Sequence, residues 1–66
     1  MVDREYVIYD ERAIYDPLIA KVIDVTNSLE DAKRIASGIY APTVIFSYDQ
    51  NEHGYRTDER LEEVFR

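Results

Sequence analysis

The clearest pattern of apolar and polar positions lies in residues 27–54, where a helix signal precedes a strand signal. Ser28 is a suitable N-cap, and Gly38 followed by Pro42 ends the periodic segment. Between these ends, apolar side chains recur at spacings of three and four; they are Leu29, Ala32, Ile35, Ala36 and Ile39. The spacing predicts an amphipathic helix over about Ser28–Ile39.

The run after Pro42 alternates with the period of two that is typical of a strand. Over Thr43–Tyr48, one face carries Val44, Phe46 and Tyr48, and the other face is partly polar. A sheet with a helix on one side has one face more apolar than the other. We therefore expect Val44 and Phe46 to lie in the core with the helical stripe.

The N-terminal half predicts further strands. Glu5–Tyr9 is rich in β-branched and aromatic residues and predicts a first strand. A polar turn follows, after which Ala13–Tyr15 continues as a returning strand. Proline at position 17 interrupts it, and Ile19–Thr26 predicts the second strand. A helix that begins at Pro17 is the alternative for residues 17–26.

The C-terminal part is less regular. Asp49–Gly54 predicts a turn, and Tyr55 and Arg56 form a short returning strand. From about residue 57, apolar residues recur at helical spacing, at Leu61, Val64 and Phe65. This predicts a short terminal helix, and a loosely held extended tail is the alternative.

Together these elements predict an α+β fold in a single small domain, residues 1–66. We expect an antiparallel sheet of three or four strands with one amphipathic helix packed on one face. The order is ββαβ plus a short C-terminal element, an arrangement common among small prokaryotic and phage proteins. The expected core contains Val7, Val22 or Ile23, Val25, Leu29, Ala32, Ile35, Ala36, Val44 and Phe46.

Composition narrows the function classes. The chain has 66 residues and a net charge of −6, and it contains no cysteine. An acidic chain disfavours direct binding of nucleic acid, which depends on Lys and Arg. No apolar run approaches the roughly 20 residues that cross a bilayer, and the N-terminus does not resemble a secretory signal. We expect a cytoplasmic protein that binds neither nucleic acid nor membrane.

One short segment resembles the opening of a calcium loop. Asp49–Gly54 places oxygen-bearing side chains at alternate positions before a glycine. However, its fifth position is His53, the twelfth is Arg60, and the incoming segment is a strand. A hairpin turn explains the composition better. We predict no catalytic residue, no cofactor and no metal ligand, and we keep a metal or enzymatic site around Asp49–His53 as a remote alternative.

Tyrosines and clustered carboxylates are the remaining candidates for a site. Six tyrosines are more than one helix can cover on a small sheet, and tyrosine is enriched in protein interfaces. A helical tail would also group three glutamates on one acidic face. The predicted partner contacts are Tyr6, Tyr9, Tyr15, Tyr48, Tyr55, Glu59, Glu62 and Glu63.

These features favour a small acidic, non-catalytic module or regulator that binds another protein. The alternative is an acidic inhibitor that imitates the charge of nucleic acid on a basic partner. We also expect that the chain can form a homodimer, because a small core without disulfides gains burial by pairing. The identity of the protein partner does not follow from the sequence.

Overall fold

The structure is a computed structural model that describes residues 4–50 and 53–66. These residues form an antiparallel four-stranded sheet with one helix packed against it, so the predicted α+β class is confirmed. The strands are β1 (Arg4–Asp10), β2 (Val22–Thr26), β3 (Thr43–Gln50) and β4 (Arg56–Phe65), the helix is α1 (Leu29–Ser37), and a 3₁₀ turn covers Glu11–Ile14.

The strand order in the sheet is β2-β1-β3-β4. The two central strands, β1 and β3, carry most of the buried residues, whereas β2 and β4 are edge strands. Val7 lies opposite Phe46 and Ile8 lies opposite Ile45. Successive residues of a strand point to opposite faces, so each of these pairs contributes to a different face of the sheet.

Helix α1 begins and ends where the sequence signals are. The Ser28 hydroxyl accepts a hydrogen bond from the Asp31 N–H at 3.4 Å, which satisfies one of the unpaired N–H groups of the first turn. At the other end, the Gly38 N–H donates to the Ile35 carbonyl at 3.1 Å. Ala32 and Ala36 are buried against the sheet, and their small side chains allow a close approach of helix and strands.

The predicted face of β3 is wrong. The helix packs on Ile8 and Ile45, whereas Val44 and Phe46 point to the opposite face and join a second cluster. The error has a physical reason: both faces of β3 are buried, including the polar residues Thr43 and Ser47. The partly polar pattern of one face therefore did not mark it as exposed.

The face opposite the helix has its own small core. It contains Val7, Tyr9, Ala13, Val44, Phe46 and Tyr48. The covering chain is the 3₁₀ turn and the loop that follows it, since Ala13 is buried there and Ala20 is partly buried. The predicted strand at Ala13–Tyr15 is thus wrong. The carboxylate of Asp10 caps the turn by accepting from the Arg12 N–H at 2.9 Å, which favours a helical turn over a strand.

Strand β2 is shorter and more exposed than predicted. It begins at Val22, and neither it nor the preceding loop contains the alternative helix. Val22, Ile23 and Val25 are each more than two-fifths exposed, so their assignment to the core is wrong. The cause is position in the sheet, because an edge strand pairs on one side only and β2 contributes no residue to either buried cluster.

The predicted terminal helix is also wrong, because the tail forms β4. Leu61 lies opposite Phe46 and Val64 lies opposite Val44, so both point to the helix-free face. Their spacing of three results from an irregularity in the pairing between Ile45 and Phe46. A bulge adds one residue to a strand and shifts its alternation. Here it produces a spacing in a strand that resembles the period of a helix.

Candidate interaction surface

Large exposed apolar side chains are concentrated in residues 14–25. Seven of them are between 41% and 93% exposed. We call this set the outer loop surface, and it consists of Ile14, Tyr15, Leu18, Ile19, Val22, Ile23 and Val25. The surface combines the outer side of the loop over the second core with the adjoining edge strand.

Local hydrogen bonds fix the loop that carries this surface. The Asp16 carboxylate accepts from the Leu18 N–H at 3.0 Å, and the Asp16 carbonyl accepts from the Ile19 N–H at 3.1 Å. The Asp10 carboxylate also accepts from the Lys21 N–H at 3.1 Å and so joins the start of the loop to its end. The backbone is held by its own turn chemistry, while Leu18 points outward.

Beneath the loop, two tyrosines form a buried polar contact. The hydroxyl oxygens of Tyr9 and Tyr48 lie 3.1 Å apart and share a hydrogen bond. The Tyr9 ring meets Phe46 edge-on, with centroids 5.8 Å apart, an arrangement that aromatic pairs favour. Burial and the bond to Tyr9 raise the pKa of Tyr48 above its ordinary value, because the phenolate is disfavoured away from water.

A groove of about 410 Å³ lies beside this loop. Its floor contains Tyr9 and Tyr48, and Arg56 and Glu59 of β4 line it as well. The remaining lining residues are Asp16, Pro17 and Leu18 of the loop. The Cζ atom of Arg56 lies 5.4 Å from the centroid of the Tyr48 ring, within the range of a cation–π contact.

The edge of β2 continues the apolar surface. An edge strand presents backbone N–H and C=O groups that another strand can pair with. Here the N–H of Val25 donates to the Asp24 carboxylate at 2.8 Å. A charged side chain that engages an edge donor is one way in which proteins hinder unwanted strand pairing.

The structure separates the predicted tyrosines into three groups by exposure. Tyr15 and Tyr55 are largely exposed, and Tyr6 is partly buried beside the helix. Tyr9 and Tyr48 are buried in the second core, so a partner could reach only the small part of each residue that lines the groove. Tyrosine count alone did not reveal which residues the loop covers.

Sequence reasoning also missed residues of the surface. Leu18 and Ile19 were expected near or within a strand, and both are exposed on the loop. The available signal was Asp16-Pro17, which is typical of turn initiation. Tyr40 is fully exposed as well, but it lies after α1 and outside the outer loop surface.

The three predicted glutamates do not form one acidic face, because β4 is a strand. Glu63 forms an ion pair with Lys33 at 3.4 Å, and Glu62 accepts a hydrogen bond from the buried Ser47 hydroxyl. Glu59 lies on the other side, beside the groove. The helical arrangement that would have grouped these carboxylates is therefore absent from β4.

Asp49 and its neighbours are engaged in structural contacts. Asp49 lies in β3 and binds Arg4 at 2.7 Å. Arg4 also donates to the Asp58 carbonyl at 2.9 Å, and Asp58 has a positive φ of 51°, which a non-glycine residue adopts at a cost. This guanidinium thus holds the irregular part of β4 against β3.

The remote calcium hypothesis gains nothing from these contacts. Asn51 and Glu52 lie outside the described residues. Within residues 4–50 and 53–66, no three His, Cys, Asp or Glu side chains are grouped to hold a metal ion. No helix in the same residues is long and apolar enough to span a membrane.

The comparisons with known proteins assign no family. A scan against protein families found no match, and searches of the curated proteins and of the solved structures found no significant similarity. Functional inference therefore depends on the geometry of this chain.

Proposed function

We propose that the protein is a small, acidic, non-catalytic module of the cytoplasm that binds another protein through the outer loop surface. The observation that carries the proposal is the concentration of seven exposed apolar side chains in residues 14–25. Exposed apolar surface on a small protein commonly marks a site of protein interaction, and these seven side chains belong to one continuous stretch of the chain.

Burial of this surface supplies the driving force for association. Each Å² of apolar surface removed from water contributes roughly 25 cal/mol. Leu18, at 93% exposed, is the most exposed of the seven side chains. The loop backbone is held by hydrogen bonds to Asp10 and Asp16, which reduces the entropy lost when the loop is ordered on binding.

The proposal can be tested with two matched variants. Leu18→Ser removes an exposed apolar side chain from the outer loop surface, and Tyr40→Ser removes one from outside it. We expect both to keep the wild-type melting temperature. In quantitative capture from the native cell, a specific partner should be retained by wild type and Tyr40→Ser but lost by Leu18→Ser. Equal retention by both variants would contradict the proposal.

Self-association through β2 is a second candidate. It is supported by the position of β2 at the sheet edge and by its three exposed apolar residues, Val22, Ile23 and Val25. Pairing at this edge would require the Val25 N–H to leave the Asp24 carboxylate. Antiparallel pairing of two copies would give a two-fold dimer. The net charge of −6 opposes it, most strongly at low salt. Sedimentation equilibrium at moderate salt tests this candidate, and a constant mass near 7.8 kDa would exclude it.

The acidic-inhibitor alternative has weaker support. Imitating nucleic acid requires carboxylates that are aligned and open to a basic partner, and Glu62 and Glu63 are engaged with Ser47 and Lys33. A salt titration of partner binding separates the two hypotheses. Charge imitation predicts a steep loss of affinity with salt, whereas an apolar contact predicts a shallow one.

A further inference from the structure

We propose that the groove between the loop and β4 receives an arginine or lysine side chain of the protein partner. The partner segment is then one in which a cationic residue adjoins apolar residues that cover Leu18. This inference rests on the proposed function and names the chemistry of the partner at the same surface.

The first argument is charge. Two carboxylates, Asp16 and Glu59, and one guanidinium, Arg56, line the groove, so its lining has a net charge of −1. That guanidinium is already paired with the carboxylate of Glu5. A second cation that enters between Asp16 and Glu59 would therefore meet negative charge that Arg56 does not balance. The net charge of −6 on the whole chain would also attract a cationic partner from a distance.

The second argument is the apolar wall of the groove. The Arg56 guanidinium already lies over the Tyr48 ring, 5.4 Å from the ring centroid, so an entering side chain meets the loop side of the groove. Arginine and lysine bury an apolar stem while the charged end stays in contact with water or a carboxylate. Pro17 and Leu18 offer an apolar wall for such a stem.

The third argument is continuity with the outer loop surface. Leu18 belongs both to the groove lining and to the exposed apolar set. A partner that covers this side chain therefore places its neighbouring residues at the groove. Apolar contact at the centre with charge at the rim is the usual anatomy of a protein interface.

The test adds a short acetylated, amidated peptide of alternating leucine and arginine to the 66-residue chain and follows binding by NMR. We expect the largest shift changes at the amides of Leu18 and Glu59. Asp16→Asn and Glu59→Gln should each weaken binding by about threefold to fivefold, the effect of one partly exposed charge pair. Asp16→Asn keeps an oxygen that can cap the Leu18 N–H.

The control is Glu30→Gln, which removes the same charge from an exposed position at the start of α1. It should leave the affinity unchanged. The inference is overturned if this control weakens binding as much as Glu59→Gln, or if a leucine–glutamate peptide binds equally well. It is also overturned if the peptide shifts amides elsewhere and leaves Leu18 unchanged.

The same variants separate this inference from the proposed function. Suppose that Leu18→Ser loses the native partner, whereas Asp16→Asn and Glu59→Gln bind it with unchanged affinity. The outer loop surface is then the interface, and the inference that a cationic side chain of the partner enters the groove is wrong. If Leu18→Ser retains the partner, the proposed function itself fails.

Discussion

Tyr9 and Tyr48 share a hydrogen bond of 3.1 Å between their hydroxyl groups, in a core on the side of the sheet that the helix does not cover. Buried tyrosines require a partner for the hydroxyl, and each supplies the other's. This pair and Phe46 belong to the second core, and the 3₁₀ turn and the loop after it cover that core. The apolar side chains on the outer side of that loop are then left exposed.

The pair predicts a loss of stability at alkaline pH. The pKa of Tyr48 is raised above its ordinary 10.0 in the folded state. Its contribution is therefore fully present below pH 10 and is lost as the pH rises beyond that value, because the unfolded chain releases the proton first. Urea unfolding from pH 8 to 11 should show a shallower loss for Tyr48→Phe than for wild type. Tyr15→Phe, at an exposed position, should match wild type.

Thr43 predicts a stabilising substitution. Its hydroxyl is buried and has no hydrogen-bond partner among the described residues. An unsatisfied buried polar group costs about 1–3 kcal/mol. We expect Thr43→Val, which has a similar shape, to raise the free energy of unfolding by about 1 kcal/mol. Ser47→Ala is the contrasting change, because its hydroxyl bonds Arg4 and Glu62. It should destabilise, and equal effects of the two changes would contradict this contrast.

The two cores predict that both faces of β3 contribute to stability. Ile45 is fully buried beneath α1, and Phe46 is buried on the other face. We expect Ile45→Ala to cost about 2–5 kcal/mol and Phe46→Ala about 3–5 kcal/mol. Leu61→Ala, at a half-exposed position of β4, should cost much less. Chemical denaturation measures all three, and a near-wild-type Phe46→Ala would show that the loop does not seal the second core.

Asp10 predicts a dependence of stability on acid. Its hydrogen bonds to the Arg12 side chain lower the pKa of Asp10 well below its ordinary 3.8. The stability it contributes is therefore present above pH 3.8 and is lost as the pH falls below it. Asp10→Asn should lower the melting temperature at pH 7. Between pH 5 and pH 2, the melting temperature of this variant should decrease less than that of wild type. Glu11→Gln, the adjacent exposed carboxylate, is the control and should retain the wild-type pH profile.

The elements with strong local signals were predictable from the sequence. Helix α1 has a cap, a stripe and a proline stop, and all three act within a few residues of one another. Strands β1 and β3 were also predictable from local signals, because each contains a run rich in β-branched and aromatic residues. The α+β class follows from these elements without knowledge of any long-range contact.

The errors arose where long-range contacts decide the structure. The spacing of Leu61 and Val64 indicated a helix, but pairing with β3 and a bulge produce it in a strand. The face of Ile45 was misassigned because a loop, rather than solvent, covers the other side. Long-range contacts also explain why the outer loop surface was missed. The loop packs its inner side on the second core, which leaves Leu18 on the exposed side.

The most direct measurement of the central claim is photo-cross-linking in the native cell from two tyrosine positions. Tyr15 lies on the outer loop surface and Tyr40 lies outside it, and both are highly exposed. With a benzophenone amino acid in place of each, position 15 should give a discrete adduct with one partner protein, and position 40 should not. An adduct of equal yield from position 40, or none from position 15, would contradict the claim that this surface is the binding site.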